Sequence, residues 1–310
     1  MNDIKQAVKI IKAGGLVAFP TETVYGLGAD AFNQRACLNI FRTKGRPSNN
    51  PLIVHISSLD QARQIADFND DALKLAEFWP GPLSLVLSKK ENSQLAASIS
   101  AGLETIAIRI PSNHIALKLI ETSGHPIAAP SANKSGRLSP TTYRHVKNNF
   151  GDEIFILHSK QGSSYGLEST IVDVTTTVPT ILRYGFITPE AIEIALGKKT
   201  AIASRLSKIK APGMLYHHYA PRVKLRINAI ALKEGEVGLN FADSKLNTFG
   251  SLNLSSSGNL SEAAANLFDY LHQLDEFALN NEIKTIAVAA IPSNKSLGLA
   301  INDRLTRAAG

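Results

Sequence analysis

Cysteine is almost absent from this sequence, which contains one, Cys37, among 310 residues. No disulfide can therefore form within the chain. The zinc-binding spacings Cys-x-x-Cys and His-Glu-x-x-His are also missing, so we predict no protein-bound metal site. Cys37 lies in a segment with a helical pattern, where we expect a small buried side chain and not a nucleophile.

The common nucleotide-binding and hydrolase motifs are missing too. The chain has no Gly-x-x-x-x-Gly-Lys-Ser/Thr phosphate loop and no Gly-x-Gly-x-x-Gly dinucleotide fingerprint. It also has no Gly-x-Ser-x-Gly nucleophile elbow. If the protein binds a nucleotide, it does so with another arrangement of residues.

Long apolar runs are not found. No run approaches the roughly 20 residues that span a bilayer, and the first residues, Met-Asn-Asp-Ile, do not resemble a signal peptide. We therefore expect a cytoplasmic protein that does not enter a membrane. At 44% hydrophobic residues the chain can bury a full core, and its length favours two domains.

Acidic residues are absent from residues 194–233, which contain nine lysines and arginines. The middle of this stretch, residues 211–221, is bounded by prolines and includes aromatic rings and histidines, Tyr219 among them. One interpretation is a solvated basic connector. We favour an ordered linker that packs on something anionic. The net charge of +7 points weakly to the same class of partner, a nucleotide or a nucleic acid.

Helical and strand patterns alternate through the rest of the chain. Apolar residues at i, i+3, i+4 and i+7 predict a helix over residues 4–11. The alternation predicts an α/β domain with a mixed sheet and then a smaller α/β unit. We place the first domain at residues 1–200, the linker at 201–223 and the second domain at 224–310. The predicted strands of the first domain are residues 16–19, 51–56, 83–87, 105–110, 127–129, 153–157, 169–174 and 180–183.

The first polar motif, Pro-Thr-Glu-Thr-Val-Tyr-Gly-Leu-Gly at residues 20–28, follows a buried strand. Ligands in open α/β sheets bind beyond the carboxyl ends of strands. The motif supplies two hydroxyls, a carboxylate and a phenol at such a position. The alternative is a plain turn in which a threonine caps the next helix.

A second motif, residues 42–51, places three cations around one glycine. Arg46 can hold phosphate oxygens through two parallel hydrogen bonds, and Lys44 adds a point charge. Pro47 and Pro51 stiffen the loop. The alternative is a basic loop on the surface.

Further candidates lie on or next to strands. Period two places Thr105, Ala107 and Arg109 on one face of a strand. Arg109 suits a carboxylate ligand, and an ion pair with a neighbouring acid is the alternative. Residues 128–142 form a loop rich in small and hydroxylated residues, which can approach phosphates or a ribose closely. Ser169 opens one strand and Arg183 closes another, so both are expected at sheet ends near one cleft.

Together these motifs resemble the Sua5/YrdC family. The matching stretches lie in the right order and cover the whole first domain, and the linker and second domain resemble the longer, two-domain Sua5 form. They are PTETVYGLG at 20–28, KGRPSNNPL at 44–52, PSANKSGRLSPT at 130–141, STIVD at 169–173, LRYG at 182–185 and PGMLYHHYAP at 212–221.

The resemblance implies an open twisted mixed sheet of the YrdC type with a smaller Rossmann-like second domain. It implies synthesis of L-threonylcarbamoyladenylate and pyrophosphate from L-threonine, bicarbonate and ATP, for threonylcarbamoyladenosine at position 37 of tRNA. Lys44 and Arg46 would be catalytic. Threonine would be held by Thr23, His55, Arg109, Ala129 and Ser169. ATP would be held by Arg46, Asn50, Thr105, Ser131, Asn133, Ser139, Arg183 and, from the linker, Tyr219 or a neighbouring histidine.

A mechanism follows from the resemblance. The threonine amine would take up carbon dioxide or bicarbonate, and the resulting carbamate would attack the α-phosphorus of ATP. Positioning and cations would supply the catalysis, with Mg²⁺ held mainly by the ATP phosphates. The product would pass to a tRNA threonylcarbamoyltransferase complex.

Two other functions remain open. A basic concave surface could bind double-stranded RNA directly, which would make the protein a binding or regulatory module. A carbamoyl-transfer role like that of hydrogenase-maturation factors fits poorly, because those proteins carry zinc-finger and acylphosphatase-like segments that this chain lacks.

Overall fold

The structure is a computed structural model, and it describes residues 2–204, 209–214, 218–293 and 297–310. Arg205 and Lys208, two of the nine basic residues of the acid-free stretch, and His217, a histidine of the predicted linker, lie outside these ranges. No helix within them is long and apolar enough to cross a membrane.

Side-chain caps mark the starts of several helices. Asn33 caps α2 by accepting a hydrogen bond from the Ala36 amide, and Thr188 caps α7 just before a proline at the first helical position. The helices are α1 Asn2–Lys12, α2 Gln34–Lys44, α3 Leu59–Ile65, α4 Asp70–Leu75, α5 His114–Ser123, α6 Tyr143–Phe150, α7 Pro189–Leu196, α8 Leu260–Asn280 and α9 Leu297–Ala309.

The strands form two separate sheets, and the first eleven belong to the larger one. They are β1 Val17–Phe19, β2 Gly26–Asp30, β3 Ile53–His55, β4 Ala66–Asp67, β5 Leu83–Lys89, β6 Thr105–Arg109, β7 Ile127–Ala129, β8 Phe155–Ile156, β9 Thr170–Asp173, β10 Thr180–Arg183 and β11 Ala201–Ile202. The smaller sheet contains β12 Lys224–Ala229, β13 Glu236–Asn240, β14 Leu252–Asn253 and β15 Thr285–Ala289.

The larger sheet is mixed, in the order β11-β10-β9-β5-β6-β3-β7-β2-β1-β8, with β4 pairing on β5. Its centre joins segments that are far apart in sequence, since β3 runs parallel to β6 and antiparallel to β7. Alternate residues of these short strands face opposite sides. Val54 and Ile108 enter an apolar core on one side, whereas Ile53 and Ala107 belong to a smaller cluster on the other.

The smaller sheet is parallel throughout, in the order β12-β15-β13-β14. Its inner strand β15 is apolar after Thr285, as a parallel strand covered on both faces is, whereas the edge strand β12 carries Lys224 and Arg226. Its core includes Leu267, Leu271 and Leu274 of α8, whose spacings of four and three residues place them on one face of the helix. The α/β class, the mixed first sheet and the smaller second α/β unit are confirmed.

The elements β2, α5, α6 and β11 were missed from the sequence. The motif at residues 20–28 does not precede a helix; its last three residues open β2, antiparallel to β1. Helices α5 and α6 were not predicted, although each starts at a side-chain cap, Asn113 and Thr142. The first sheet also continues through β11, which pairs with β10 inside the segment predicted as linker.

Candidate active site

A cleft lies over the face of the larger sheet that carries Ile53 and His55 of β3 and Ala129 of β7. The space within it, including the part open to solvent, is about 510 Å³. Its wall combines the β1–β2 loop, the end of α2, the loop after β7, the start of β9, the end of β10 and the linker. Linker residues therefore close over a cleft whose floor belongs to the first domain. The described residues that line it are Thr21, Thr23, Val24, Tyr25, Gly26, Arg46, Ile53, His55, Arg109, Ala129, Pro130, Ser131, Glu168, Ser169, Arg183, Pro212, Gly213, His218 and Tyr219.

The end of α2 sets the positions of Lys44 and Arg46, the two cations predicted to be catalytic. Gly45 caps the helix in the left-handed conformation, with φ 62°, and the Arg46 amide bonds back to the Phe41 carbonyl. This C-terminal motif reverses the chain, so that Arg46 turns into the cleft. The Lys44 ammonium, also buried, donates to the Ser131 carbonyl at 2.6 Å and to that of Asn133.

Two residues predicted to bind the substrate threonine, Thr23 and His55, lie beside Arg109. His55 and Arg109 are paired across β3 and β6, so their side chains stand side by side. The Arg109 guanidinium donates to Thr23 Oγ1 at 2.9 Å, to the Gly81 carbonyl at 3.1 Å and to Glu22 Oε1. The alternative considered from the sequence, an ion pair with a neighbouring acid, is present, and Glu22 is that acid. The role of Arg109 toward a carboxylate ligand stays a prediction.

Ser169 and Arg183 meet at the other side of the cleft. Antiparallel pairing of β9 and β10 brings them together. Arg183 donates from Nε to the Ser169 carbonyl at 3.0 Å and from a terminal nitrogen to Ser169 Oγ at 3.1 Å. Ser169 Oγ also lies 2.8 Å from Ser84 Oγ. The two sheet ends expected near one cleft are in direct contact.

The loop after β7 brings small and polar residues to the opposite wall. Ala129 is the last residue of β7, and Ser131 bridges to Gly26 of β2. The Asn133 amide nitrogen donates to the carbonyls of Lys134 and Arg137, both at 2.8 Å, which folds the loop on itself. Ser139 is completely buried and donates to Glu168.

The linker forms the lid of the cavity. Tyr219 is 1% exposed, with a positive φ of 68°, and its ring lies 3.9 Å from that of His218. Burial raises the pKa of Tyr219, so its hydroxyl stays protonated. The carbonyl of Pro212 accepts a hydrogen bond from Arg183 at 3.1 Å. The linker is therefore ordered against the cleft in the described ranges.

Three buried cations lie in or directly behind the cavity lining, and none forms an ion pair with a carboxylate among the described residues. Arg183 is nevertheless close enough to Glu168 for the two charges to interact. Lys44, Arg46 and Arg183 are at most 8% exposed and donate to carbonyls and one hydroxyl. Burial and neighbouring cations lower the pKa of Lys44 well below its usual value, and burial lowers that of Arg46 to about 9. Uncompensated buried positive charge favours an anionic ligand.

Six buried polar atoms have no hydrogen-bond partner among the described residues. Such atoms are costly unless a ligand or water satisfies them. Two of these atoms belong to His55 and Tyr219, which line the cavity. Two others belong to Asn50, in the motif at residues 42–51, and to Asn133, in the loop after β7. They are Glu22 Oε2, Asn50 Oδ1, His55 Nδ1, Asn133 Oδ1, His218 Nδ1 and the Tyr219 hydroxyl.

The structure brings together most, but not all, of the predicted site residues. Nine line the cavity: Thr23, Arg46, His55, Arg109, Ala129, Ser131, Ser169, Arg183 and Tyr219. Lys44, Asn50, Asn133 and Ser139 lie just behind this lining. Thr105 does not line the cavity, since it begins β6 and Arg109 ends it; its role stays a prediction.

Sequence reasoning did not assign a role to Glu22 or Glu168. Glu168 lines the cavity and Glu22 holds Arg109. Both stood inside motifs that had been singled out, but a carboxylate is not expected in a site for anions. The signal that would have found them is the need of a buried guanidinium for a counter-charge.

The fold and the cleft define a two-domain α/β protein whose basic, lidded site fits a small polyanion. The chain belongs to the Sua5/YrdC family. One family model, described as "Telomere recombination", matches residues 9–185, and another, "Threonylcarbamoyl-AMP synthase, C-terminal domain", matches residues 187–310.

Relatives match over nearly the full length. The threonylcarbamoyl-AMP synthase of Pyrococcus abyssi is 39% identical, with 99% of this chain and 94% of the relative covered. That of Bacillus subtilis is 38% identical, with 99% and 93% covered. A crystal structure of P. abyssi Sua5 complexed with L-threonine superposes with a TM-score of 0.89 at 38% identity, covering 99% of this chain and 94% of that one.

Proposed function

We propose that this protein is a threonylcarbamoyl-AMP synthase, which converts L-threonine, bicarbonate or carbon dioxide, and ATP into L-threonylcarbamoyladenylate and pyrophosphate. The observation that carries the proposal is the buried cluster of Lys44, Arg46 and Arg183 at the cleft, in which no cation forms an ion pair with a carboxylate among the described residues. A triphosphate supplies the missing negative charge. The relatives that match over their full length carry the same activity in their names.

The cleft divides into two halves that suit the two organic substrates. Arg109, Thr23, His55, Ala129 and Ser169 would hold threonine, with the carboxylate on Arg109. This half lies over β3 and β6 of the larger sheet. The similar P. abyssi protein was crystallised as a complex with L-threonine. Arg46, Asn50, Thr105, Ser131, Asn133, Ser139, Arg183 and Tyr219 would hold ATP.

The chemistry needs no nucleophile from the protein. The threonine amine adds to carbon dioxide, derived from bicarbonate, and loses a proton, which gives a carbamate. A carbamate oxygen then attacks the α-phosphorus of ATP, and the bond to the β-phosphate oxygen breaks to release pyrophosphate. Lys44 and Arg46 would stabilise the charge that develops on the phosphoryl oxygens. The lid would exclude water from the labile carbamate.

Magnesium would enter with ATP as part of the substrate. Among the described residues, no group of three histidines, cysteines or acids is placed to hold a metal ion. Glu168, the carboxylate of the cavity lining, is already engaged by Ser139 and Arg304. We therefore assign Mg²⁺ to the ATP phosphates, in keeping with its preference for phosphate and water ligands.

The product is an activated carbamoyl group, which must be consumed by a transferase. We propose that this is a tRNA threonylcarbamoyltransferase complex acting at position 37 of tRNA, and that the reaction takes place in the cytoplasm. A primary role as a double-stranded RNA-binding module is not favoured, because Arg46 and Arg183 of the cavity lining are buried and a duplex needs exposed cations to contact its phosphates. Direct contact with RNA elsewhere on the surface stays a prediction.

The experiment that tests the function is pyrophosphate release by the purified protein. Complete reactions with ATP, Mg²⁺, L-threonine and bicarbonate are compared with reactions that omit each component. We expect release to need threonine and bicarbonate together, and the adenylate to be detected by mass spectrometry. Well-folded protein that binds ATP but releases no threonine-dependent pyrophosphate would overturn the proposal. Double-stranded RNA binding measured in parallel distinguishes the alternative.

A further inference from the structure

Arg304, on helix α9 of the second domain, reaches into the wall of the first-domain cleft. It is 1% exposed, the largest of the fully buried side chains. Its Nε donates to Glu168 Oε2 at 2.8 Å, and one terminal nitrogen donates to the Tyr184 carbonyl at 2.8 Å. The other terminal nitrogen donates to Asp303 Oδ2 at 2.7 Å. Every nitrogen of the guanidinium is thus engaged, and two of them hold first-domain groups.

The partner of Arg304 is the carboxylate that lines the cavity. Glu168 also accepts a hydrogen bond from Ser139, a predicted ATP residue. Burial alone would raise the pKa of Glu168, but Arg304 and Arg183, with the Ser139 hydroxyl, hold it below its usual value. The carboxylate is therefore ionised at neutral pH, inside a cleft that must receive a triphosphate.

Three further contacts connect the second domain to the same wall. The Arg304 guanidinium lies 5.3 Å from the centre of the Tyr219 ring, a cation–π distance. Leu167, next to Glu168, is buried in the core of the second domain. Gly166 approaches α8 so closely that an added Cβ would lie 2.4 Å from the Ala265 carbonyl oxygen. The segment 166–168 is thus held by the second domain immediately before Ser169.

We propose that Arg304 is a positioning residue for the ATP half of the cleft, through which the second domain neutralises Glu168 and orients Ser139 and Tyr219. This inference rests on the proposed function. An unpaired Glu168 carboxylate would repel the phosphates, and like charges close together in a buried site are strongly unfavourable. A first domain without α9 would therefore contain the substrate-binding motifs but bind ATP poorly.

The test compares ATP and threonine affinity in variants of the full-length protein. Arg304→Met retains most of the side-chain volume and removes the charge, whereas Arg304→Lys keeps the charge. Binding is measured by calorimetry with each substrate alone, so that no turnover occurs. We expect Arg304→Met to weaken ATP binding at least tenfold and threonine binding less than threefold. Arg304→Lys should stay within threefold of the wild type for both substrates.

The double variant Glu168→Gln/Arg304→Met separates a charge effect from a loss of structure. If Arg304 acts by neutralising Glu168, the double variant regains most of the ATP affinity. Arg226→Ala is the matched control, because it breaks an ion pair with Glu236 within the second domain, away from the cleft. It should leave both affinities unchanged.

Several outcomes would overturn the inference. Folded Arg304→Met that binds ATP within twofold of the wild type would do so, as would a double variant no better than Arg304→Met. Should Arg304→Met fail to fold, a tenfold loss of ATP affinity in Arg304→Lys would show that charge is not what matters. Wild-type protein that binds no ATP would overturn the proposed function itself, which is a separate result.

Discussion

The two domains handle buried polar groups in opposite ways. In the second domain such groups have partners: Asp275 accepts from the backbone and side chain of Arg222, and Asn240 bonds to Leu246 and Ser244. In the first domain and the linker, six buried polar atoms lack a hydrogen-bond partner among the described residues, and the buried cations Lys44 and Arg46 form no ion pair with a carboxylate there. Polar groups left unsatisfied in this way cost stability. Their concentration in one cleft is the mark of a site built for a ligand.

The comparison also shows what the second domain contributes. Its sheet is small and parallel, and its described residues include no cluster of unsatisfied polar groups. Its contact with the cleft comes through Arg304 and the surface that holds residues 166–168. We infer that it acts as a support for the catalytic domain, which is consistent with family models that match the two parts of the chain separately.

The largest effect is expected from Lys44. Lys44→Ala should lower kcat/KM for pyrophosphate release by about 10²–10³-fold, as loss of a transition-state hydrogen-bond donor typically does. The thermal unfolding midpoint should change little, because the variant removes a buried charge that has no carboxylate partner in the described ranges. Lys245→Ala, an exposed lysine of the second domain, is the control and should retain full activity. Wild-type turnover in Lys44→Ala would remove this residue from the mechanism.

Arg109 should have the next largest effect, confined to one substrate. Arg109→Lys loses the planar fork that holds a carboxylate, and Arg and Lys are not interchangeable at such sites. We expect KM for threonine to rise about 10-fold or more, with KM for ATP changed by less than a factor of three. Steady-state kinetics with each substrate varied in turn measures the two KM values separately. Equal changes in both constants would mean that Arg109 only supports the fold.

Gly166 tests the contact between the domains. Gly166→Ala should be clearly more destabilising than Gly102→Ala. Both glycines have positive φ, 66° and 80°, but an added Cβ meets the α8 backbone at 2.4 Å in the first and nothing within 4 Å in the second. The positive φ alone costs about 1–2 kcal/mol, which Gly102→Ala measures. The difference between the two variants in the free energy of unfolding, measured with denaturant, gives the cost of the steric clash alone. Equal stabilities would show that the 166–168 segment is not tightly held.

The smallest effect concerns pH. Burial, with a contribution from Arg109, lowers the pKa of His55 to about 3, whereas an unfolded histidine titrates near 6.5. Below pH 6.5 the unfolded chain binds the extra proton, so the free energy of unfolding falls as pH drops toward 3. His55→Asn should remove about 1 kcal/mol of this dependence per pH unit. Unfolding curves at pH 7 and pH 5 measure it, and an unchanged pH dependence in the variant would contradict the assignment.

The motifs and the fold class were predictable from the sequence because they depend on local patterns. Alternation along β6 correctly placed Arg109 with Ala107 on the face away from Ile106 and Ile108, and the strand at residues 127–129 was placed at its observed bounds. Strand β2 was missed because glycine and aspartate disfavour strands. Burial between β1 and β7 overrides that preference.

What the sequence by itself determined is the set of chemical groups: cations around Gly45, an arginine at a strand end, an acid-free linker, and a family resemblance that covers the chain. Only the tertiary structure decided which of these groups share a cleft and which are paired. The pairs Glu22–Arg109 and Glu168–Arg304 join residues 87 and 136 positions apart in the chain. No local pattern encodes such a pairing, because it arises when strand order and domain packing bury a charge and a counter-charge must lie beside it.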